Sequence, residues 1–341
     1  MPALSKPQIT VIIPTLNSAS VLKACLASIR SQNYPQKNIH ILIADGGSTD
    51  STLQISKLYH CHIFHNRLRT AEAGKALLIK KVTTPYLLSL DSDNVLPTKN
   101  WLTQILAPLL SDPNTIGSES ISFTYRRGSG FIERYSALLG ANDPYAFFTG
   151  VYDRYSSLSN RWTDLKINQT EHKGFLLLKL NSNTTLPTIG ANGTLYQTSF
   201  VQKHLKSDYF FDTDFLSSIK YSQPLYFAKV KNSITHTYCE SSFTKFLTKQ
   251  KRRVIDLYCH QRNFKSSASV GTFGQQLLFL IYSFTLIYPI YHSLKGFAKL
   301  SDPAWFFHPI ACFSTALIYL YYSILFRLGL LKPLSRSQWH Q

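Results

Sequence analysis

The stretch Tyr86-Leu-Leu-Ser-Leu-Asp-Ser-Asp-Asn94 constrains this chain more than any other. An apolar run that reads as a buried strand ends abruptly in two carboxylates one residue apart. Asp91 and Asp93 therefore sit at the carboxyl end of a strand, which is where ligands bind in an open α/β sheet. Two hard oxygen donors on such a turn suit a divalent cation and the phosphates it bridges. An Asp-x-Asp by itself is equally a surface turn, so its weight depends on the segments around it.

Those segments alternate between strand and helix signals. Apolar Ile9 to Ile13 is followed by helical spacing from Val21 through Ile29. Then come a second apolar run from Ile39 to Ala44, a helix over Thr52 to Tyr59, a short strand at Cys61 to Phe64 and a helix from Ala71 to Val82. Such alternation predicts βαβ units and a Rossmann-like, mainly parallel sheet. It brings the loops Pro14 to Asn17, Asp45 to Asp50 and Asp91 to Asn94 to one edge, a nucleotide-binding edge by geometry. Beyond it the pattern predicts a helix at Trp101 to Leu110 and strands at Thr115 to Tyr125 and Phe175 to Leu180. Further strands are expected near Pro224 to Val230 and Ser233 to Thr237, with an aromatic, irregular stretch from Gly128 to Leu186.

Pro14-Thr-Leu-Asn17, then Leu22, Leu26, Ser28, Gln32 and Tyr34-Pro35, then Asp45-Gly-Gly-Ser-Thr-Asp50, then Leu90-Asp-Ser-Asp93 follow one another in order and spacing. This set resembles the nucleotide-diphospho-sugar-binding half of the family 2 glycosyltransferases. The resemblance implies a GT-A fold, an activated sugar donor, a divalent metal (Mn or Mg) and inversion at the anomeric carbon. It further implies donor contacts from Pro14, Thr15, Asn17 and Asp45, with Asp45 accepting from the base. Asp93 would bind the metal directly, with Asp91 on ribose or a metal-bound water. Ser48 and Asp50 read better as helix-capping residues. Where many relatives carry a second Asp, this chain has Gly46.

Other residues follow the same likeness. Lys75 stands where the family has a basic residue suited to a diphosphate, with Arg67 and Arg69 nearby. Tyr209-Phe-Phe-Asp212-Thr-Asp214 resembles the acidic acceptor motif and puts Asp212 at the catalytic base, although Phe211 replaces a common Glu. Thr188-Ile-Gly-Ala-Asn-Gly-Thr194 looks like the Gly-containing loop beside the donor sugar. His236 falls where a further metal or phosphate ligand is often found. Gln250-Lys-Arg-Arg253 resembles a Gln-x-x-Arg motif, so Gln250 and Arg253 are candidates for phosphate or lipid contact. The group His60, His62 and His65 would be split between the faces of a short strand and is a poor metal site.

The formal net charge of +18 over 341 residues favours an anionic partner. No nucleic-acid-binding module accompanies it, and the cations gather beside two uncharged apolar runs, Gly271 to Leu294 and Pro303 to Phe326. Each run is long enough for one bilayer crossing, and Tyr and Trp crowd their ends. Lys245, Lys249, Lys251, Arg252, Arg253, Arg262 and Lys265 precede the first run, while Arg327, Lys332 and Arg336 follow the second. Expected, then, is a C-terminal hydrophobic helical hairpin with both ends cytoplasmic. Lys295, Lys299, Pro289 and Pro309 leave room for an interfacial or re-entrant arrangement. Five scattered cysteines suggest neither a disulfide framework nor a zinc knuckle. No signal peptide is apparent, and the sequons at Asn168, Asn183 and Asn192 read as chance matches.

The expected organisation is a catalytic domain over 1–240, with its nucleotide-sugar half at 8–95 and its acceptor half at 115–240. A basic amphipathic interface helix within 241–270 and two transmembrane helices within 271–330 follow. The expected activity is metal-dependent, inverting sugar transfer from a nucleotide-sugar to a lipid-linked or envelope-glycan acceptor, at the cytoplasmic face of a membrane whose lipid the chain contacts. Alternatives are transfer to polyprenyl phosphate, or a catalytically silent nucleotide-sugar-binding scaffold, for which the departures at Gly46, Ala76 and Phe211 speak.

Overall fold

The computed structural model describes residues 6–182, 184–219, 221–260 and 272–331. The sequon at Asn183 and the basic residues Arg262, Lys265, Lys332 and Arg336 lie outside the described residues. In chain order the elements are β1 (Ile9–Thr15), α1 (Ala19–Arg30), β2 (Ile39–Asp45), α2 (Thr52–Leu58), β3 (His62–His65), α3 (Ala71–Ile79), β4 (Tyr86–Ser89), β5 (Asn94–Val95), α4 (Trp101–Ser111) and β6 (Thr115–Phe123). There follow α5 (Phe131–Leu139), α6 (Pro144–Phe148), β7 (Asn168–Glu171), β8 (Phe175–Leu180), β9 (Thr194–Gln197), α7 (Thr198–His204), α8 (Asp212–Ser218) and β10 (Leu225–His236). The chain ends with α9 (Phe243–His260), α10 (Phe273–Thr285), α11 (Ile287–Lys299) and α12 (His308–Arg327).

Two compact units emerge. The first comprises 1–121, 167–184 and 189–236, and the second comprises 122–166, 185–188 and 237–341.

The first unit is built on one mixed sheet with strand order β3-β2-β1-β4-β9-β6-β10-β8-β7, and β5 pairs separately with β10. The strands β3, β2, β1 and β4 are parallel, as the βαβ alternation predicts. Every residue of β1 is buried, which is why it reads as an unbroken apolar run. From β4 onward the sheet departs from the parallel pattern. β9 runs antiparallel to both β4 and β6, and β8 runs antiparallel to β10 and β7. The two expected strands near 224–230 and 233–237 are one strand, β10, which pairs with β8 over its first half and with β5 at Thr235 and His236. The polar interruption Lys231-Asn-Ser233 marks the switch of partner.

Two charges lie wholly inside this sheet. Lys229 on β10 and Glu119 on β6 are both fully buried, with Nζ 2.7 Å from Oε1. Glu119 Oε2 accepts from the backbone N–H of Gly190 and from the Thr194 hydroxyl, each at 3.0 Å. Both charges and most of their bonding capacity are thus matched, the condition under which a buried pair is tolerated.

The second unit is helical. Ile132, Tyr135 and Leu139 of α5 pack with Phe246 of α9, Ala311 of α12, and Trp305 and Phe307 of the short helical turn that leads into α12. The region from 128 to 186, irregular by sequence, supplies α5 and α6. The first apolar run is not one straight helix. α10 and α11 meet at Leu286, whose φ is +59°, and are bent by 73°. Pro289 accounts for the break: it has no N–H to bond the Thr285 carbonyl, and its ring would clash there, but in the first turn of a new helix no such donor is needed. The segment Pro303–Arg327 is long and apolar enough to cross a membrane.

Removing one partner of the buried pair should be far worse than removing both charges. Lys229→Met should lower unfolding stability in urea by about 3–5 kcal/mol. The double change Glu119→Gln with Lys229→Met should lose clearly less than Lys229→Met alone.

Candidate active site

The Asp91–Asn94 turn is closed by its own chain. Asn94 is completely buried, its N–H donates to the Asp91 carbonyl at 3.0 Å, and its Oδ1 accepts from the Asp91 N–H at 3.1 Å. Its side-chain amide then donates to Asn192 Oδ1 at 3.2 Å. Antiparallel pairing of β5 with β10 sets His236 opposite Asn94. The His236 ring Nε2 consequently lies 3.4 Å from Asp93 Oδ2, so the expected metal residues Asp93 and His236 are neighbours and Asp91 is two residues away.

Lys75 joins this turn to Asp212. It lies one turn into α3, whose N-terminus is capped by the Thr70 hydroxyl accepting from Ala73 N–H at 3.2 Å. The ammonium is buried, 2.7 Å from Asp91 Oδ1 and in direct contact with Asp212 Oδ2. Burial works against the cation, but the two carboxylates outweigh it and raise the Lys75 pKa. Burial also lifts Asp212 above the ordinary carboxylate range; Lys75 opposes that rise and the charge of Asp91 adds to it. The second Asp212 oxygen, Oδ1, is buried with no hydrogen-bond partner among the described residues. It is an acceptor held ready for a donor.

Asp212 opens α8 and is backed by the Gly190 loop. Gly190 has φ +122°, and a Cβ there would stand 2.2 Å from the Asp212 carbonyl oxygen. Only glycine permits that approach. The loop hangs on Glu119 through the Gly190 N–H, so a chain of contacts runs from the Lys229–Glu119 pair to Asp212. Sequence reasoning missed Glu119 and Lys229. The available signal was one charge of each sign in two otherwise uncharged stretches, Thr115-Ile-Gly-Ser-Glu and Tyr226-Phe-Ala-Lys-Val.

The first two loops interlock. The N–H groups of Asn17, Ser18 and Ala19 donate to the side chains of Ser48, Thr52 and Asp50 at 2.9, 2.8 and 3.0 Å. Asp50 also accepts from Thr52 N–H at 3.0 Å and so ties the first turns of α1 and α2 together, although the N-cap of α2 is Ser51; Ser48, also expected to cap, bonds Asn17 and Asp45 instead. Asp45 is buried, and its carboxylate accepts from Gly47 N–H, Ser48 N–H, the Ser48 hydroxyl and the Thr15 hydroxyl at 2.8, 2.9, 2.5 and 3.1 Å. Four donors fill the sites of two carboxylate oxygens, so in this conformation Asp45 shapes the loop and has no lone pair left for a base. Pro14 is buried at the end of β1, and Asn17, at φ +49°, is exposed.

Gln250 and Arg253 belong to the second unit. Gln250 donates to the Asn142 carbonyl at 3.0 Å and accepts from Arg253 at 2.9 Å, and Arg253 lies 3.4 Å from Asp143.

Among the described residues no group of three or more His, Cys, Asp or Glu side chains is arranged to hold a metal ion. The donor chemistry nevertheless fits Mn or Mg. Such ions are held by one or two carboxylates together with substrate phosphates and water. Asp91 and Asp93 supply such carboxylates, and the His236 imidazole stands 3.4 Å from Asp93.

The glycosyl transferase family 2 model matches residues 10–145. Glycosyltransferase AglE of Haloferax volcanii is 26% identical over 137 residues, covering 38% of this chain and 45% of that protein. A PGL/p-HBAD biosynthesis glycosyltransferase of Mycobacterium bovis is 30% identical over 110 residues, covering 30% and 42%. A Methanococcus voltae protein named as a dolichyl N-acetyl-alpha-D-glucosaminyl phosphate glycosyltransferase is 46% identical over 69 residues, covering 20% and 22%. The chain thus matches less than half the length of each of these relatives. Among solved structures, the mannosyltransferase PcManGT of Pyrobaculum calidifontis has 13% identity and a TM-score of 0.48, covering 93% of this chain and 88% of that one. A Staphylococcus aureus TarS structure has 15% identity and a TM-score of 0.45, covering 94% and 92%. Within residues 10–145 the chain is thus similar to the family 2 glycosyltransferases.

Proposed function

We propose that this chain transfers a sugar, with inversion, from a nucleotide-sugar to a lipid-linked or glycan acceptor, using a divalent cation, and that it works attached to a membrane. The observation that carries the reading is the buried Lys75 ammonium, held between Asp91 of the first half and Asp212 of the second. Asp93 and His236 would hold the cation, with Asp91 beside them. A bound cation acts as a Lewis acid that neutralises charge on the leaving diphosphate. The interlocked loops that begin at Pro14 and Asp45 present exposed Asn17, Gly47 and Thr49 toward a ligand. In this reading Thr15 and Asp45 act through loop shape.

Inverting displacement requires the attacking hydroxyl to lose its proton as the new bond forms. Asp212 suits the role of proton acceptor, because its Oδ1 is buried and unpartnered and burial has raised its proton affinity. Lys75 fixes the orientation of that carboxyl and holds Asp91 at the same time. The lipid-linked acceptor is supported by the name of the Methanococcus voltae relative, a dolichyl-phosphate-linked sugar transferase, and by the apolar C-terminal helices.

The first measurement is thermal stabilisation of the purified protein by UDP-, GDP- and dTDP-sugars, with and without Mn²⁺. One donor should stabilise the protein only when Mn²⁺ is present, and Asp93→Asn should abolish that response. An unresponsive protein across the whole panel would instead support a silent scaffold. In a transfer assay with the responding donor, Asp212→Asn should reduce kcat roughly a hundred- to ten-thousand-fold while donor stabilisation persists, as for loss of a general base. Gly190→Ala should also lower kcat, because the added methyl displaces the Asp212 backbone, and donor binding should again be retained.

A further inference from the structure

The membrane-attached part of the proposed function leaves open how the apolar helices meet the bilayer, and the packing of the second unit points to one answer. Among the described residues, all but four of the exposed large apolar side chains lie between Phe273 and Leu330. On α12 and just past its end they form one stripe, Ile310, Phe313, Leu317, Tyr321, Ile324 and Leu328, at spacings of three and four that keep them on one helix face.

The rest of α12 is packed against α9 and also against α6, α10 and α11. Phe246, near the start of α9, packs edge-on against Phe307 at 5.3 Å, and Val254 shares a cluster with Ala316. Tyr258 stacks on Phe326 at 4.8 Å. The two helices therefore run side by side in the same direction. α9 carries Lys245, Lys249, Lys251, Arg252 and Arg253, so α12 cannot sit in the hydrocarbon core without drawing these cations in with it, which is costly.

The corner between α11 and α12 is also held fast. Asp302 accepts from Arg134 at 2.9 Å and from the Tyr125 hydroxyl at 2.6 Å, and Lys299 donates to the carbonyls of Ser157 and Leu158 at 3.2 and 2.9 Å. A spanning hairpin would carry this corner to the far side of the bilayer; here it is bound to α5 and the segment that follows α6. Moreover, α10 and α11 have 13 residues each, about 20 Å apiece, and are bent by 73°, so neither reaches across roughly 30 Å of hydrocarbon.

We infer that α10, α11 and α12 lie in a single leaflet of an anionic membrane, apolar faces immersed, and that no part of 273–331 crosses. Arg327, 5.0 Å over the Phe273 ring, and Lys295, 5.9 Å over that of Tyr291, are exposed beside apolar side chains, where lipid phosphates can approach them. The basic face of α9 adds to the same attraction.

The test is the sidedness of the α11–α12 corner in membranes of cells expressing the full chain. Ser301→Cys, at the exposed corner, and Lys57→Cys, an exposed marker on α2, are labelled with a membrane-impermeant maleimide and compared with the parent chain. Both should gain label in inside-out vesicles, and neither in intact spheroplasts. Label on Ser301→Cys from the outside only, with Lys57→Cys labelled from the inside, would establish a spanning hairpin and overturn the inference while leaving membrane attachment intact. A parent chain in the soluble fraction, as a monomer or a soluble dimer, would overturn attachment itself. Leu317→Glu with Tyr321→Glu should move the chain from the pellet to the supernatant with its helical circular dichroism unchanged. Retention of that variant in the pellet after a carbonate wash would also overturn the in-plane arrangement.

Discussion

One buried ammonium holds the two sides of the candidate site together. Asp91 and Asp212 are far apart in sequence and approach each other inside the protein, where two like charges repel strongly unless a cation separates them. Lys75 is that cation. Its position on α3 is set by the Thr70 cap, its depth by the packing of α3 on the parallel strands, and its pKa by the carboxylates it neutralises. With it in place, Asp91 and Asp212 face one ammonium from two sides, and the loops that carry them are held together. The Glu119–Lys229 pair repeats the device inside the sheet, where it anchors the glycine loop that supports Asp212.

The edge built by the loops after β1 and β2 is stabilised by a different means. Its two loops satisfy each other's backbone N–H groups through Ser48, Asp50, Thr52 and Asn17, so the edge is organised before any ligand arrives. Such preorganisation lowers the entropic cost of binding. It also explains why Asp45, the residue most suggestive of base recognition, is engaged by its own loop.

The parallel half of the sheet was legible because its strands are buried on both faces and so read as continuous apolar runs closed by turn residues. β1, β2 and β4 stand out for that reason, and β8 was placed over its true range. The antiparallel half was less legible. Its strands are far apart in sequence, and β10 changes partner in mid-course, so its polar interruption looked like a loop. α5 and α6 lie in an aromatic stretch whose residues face partners as distant as Trp305 and Phe307, and local periodicity cannot announce such contacts. Asp91, Asp93, Asp212 and His236 were singled out by their order along the chain, and the fold brings them near one another. Their wiring through Lys75, Asn94 and Glu119 depends on tertiary pairing and was not readable.

The second unit is interlaced: its core takes Ile132, Tyr135 and Leu139 from the middle of the chain and closes them with Phe246, Trp305, Phe307 and Ala311 from the end. The apolar helices are therefore not an appendage that a protease or a gene truncation could trim away. Shortening the chain before α9 would strip the lid from α5 and expose its apolar face to aggregation. On α12 the core and the exposed apolar stripe occupy different faces of one helix, so a lineage that discarded the helix for the sake of one face would have to rebuild the other.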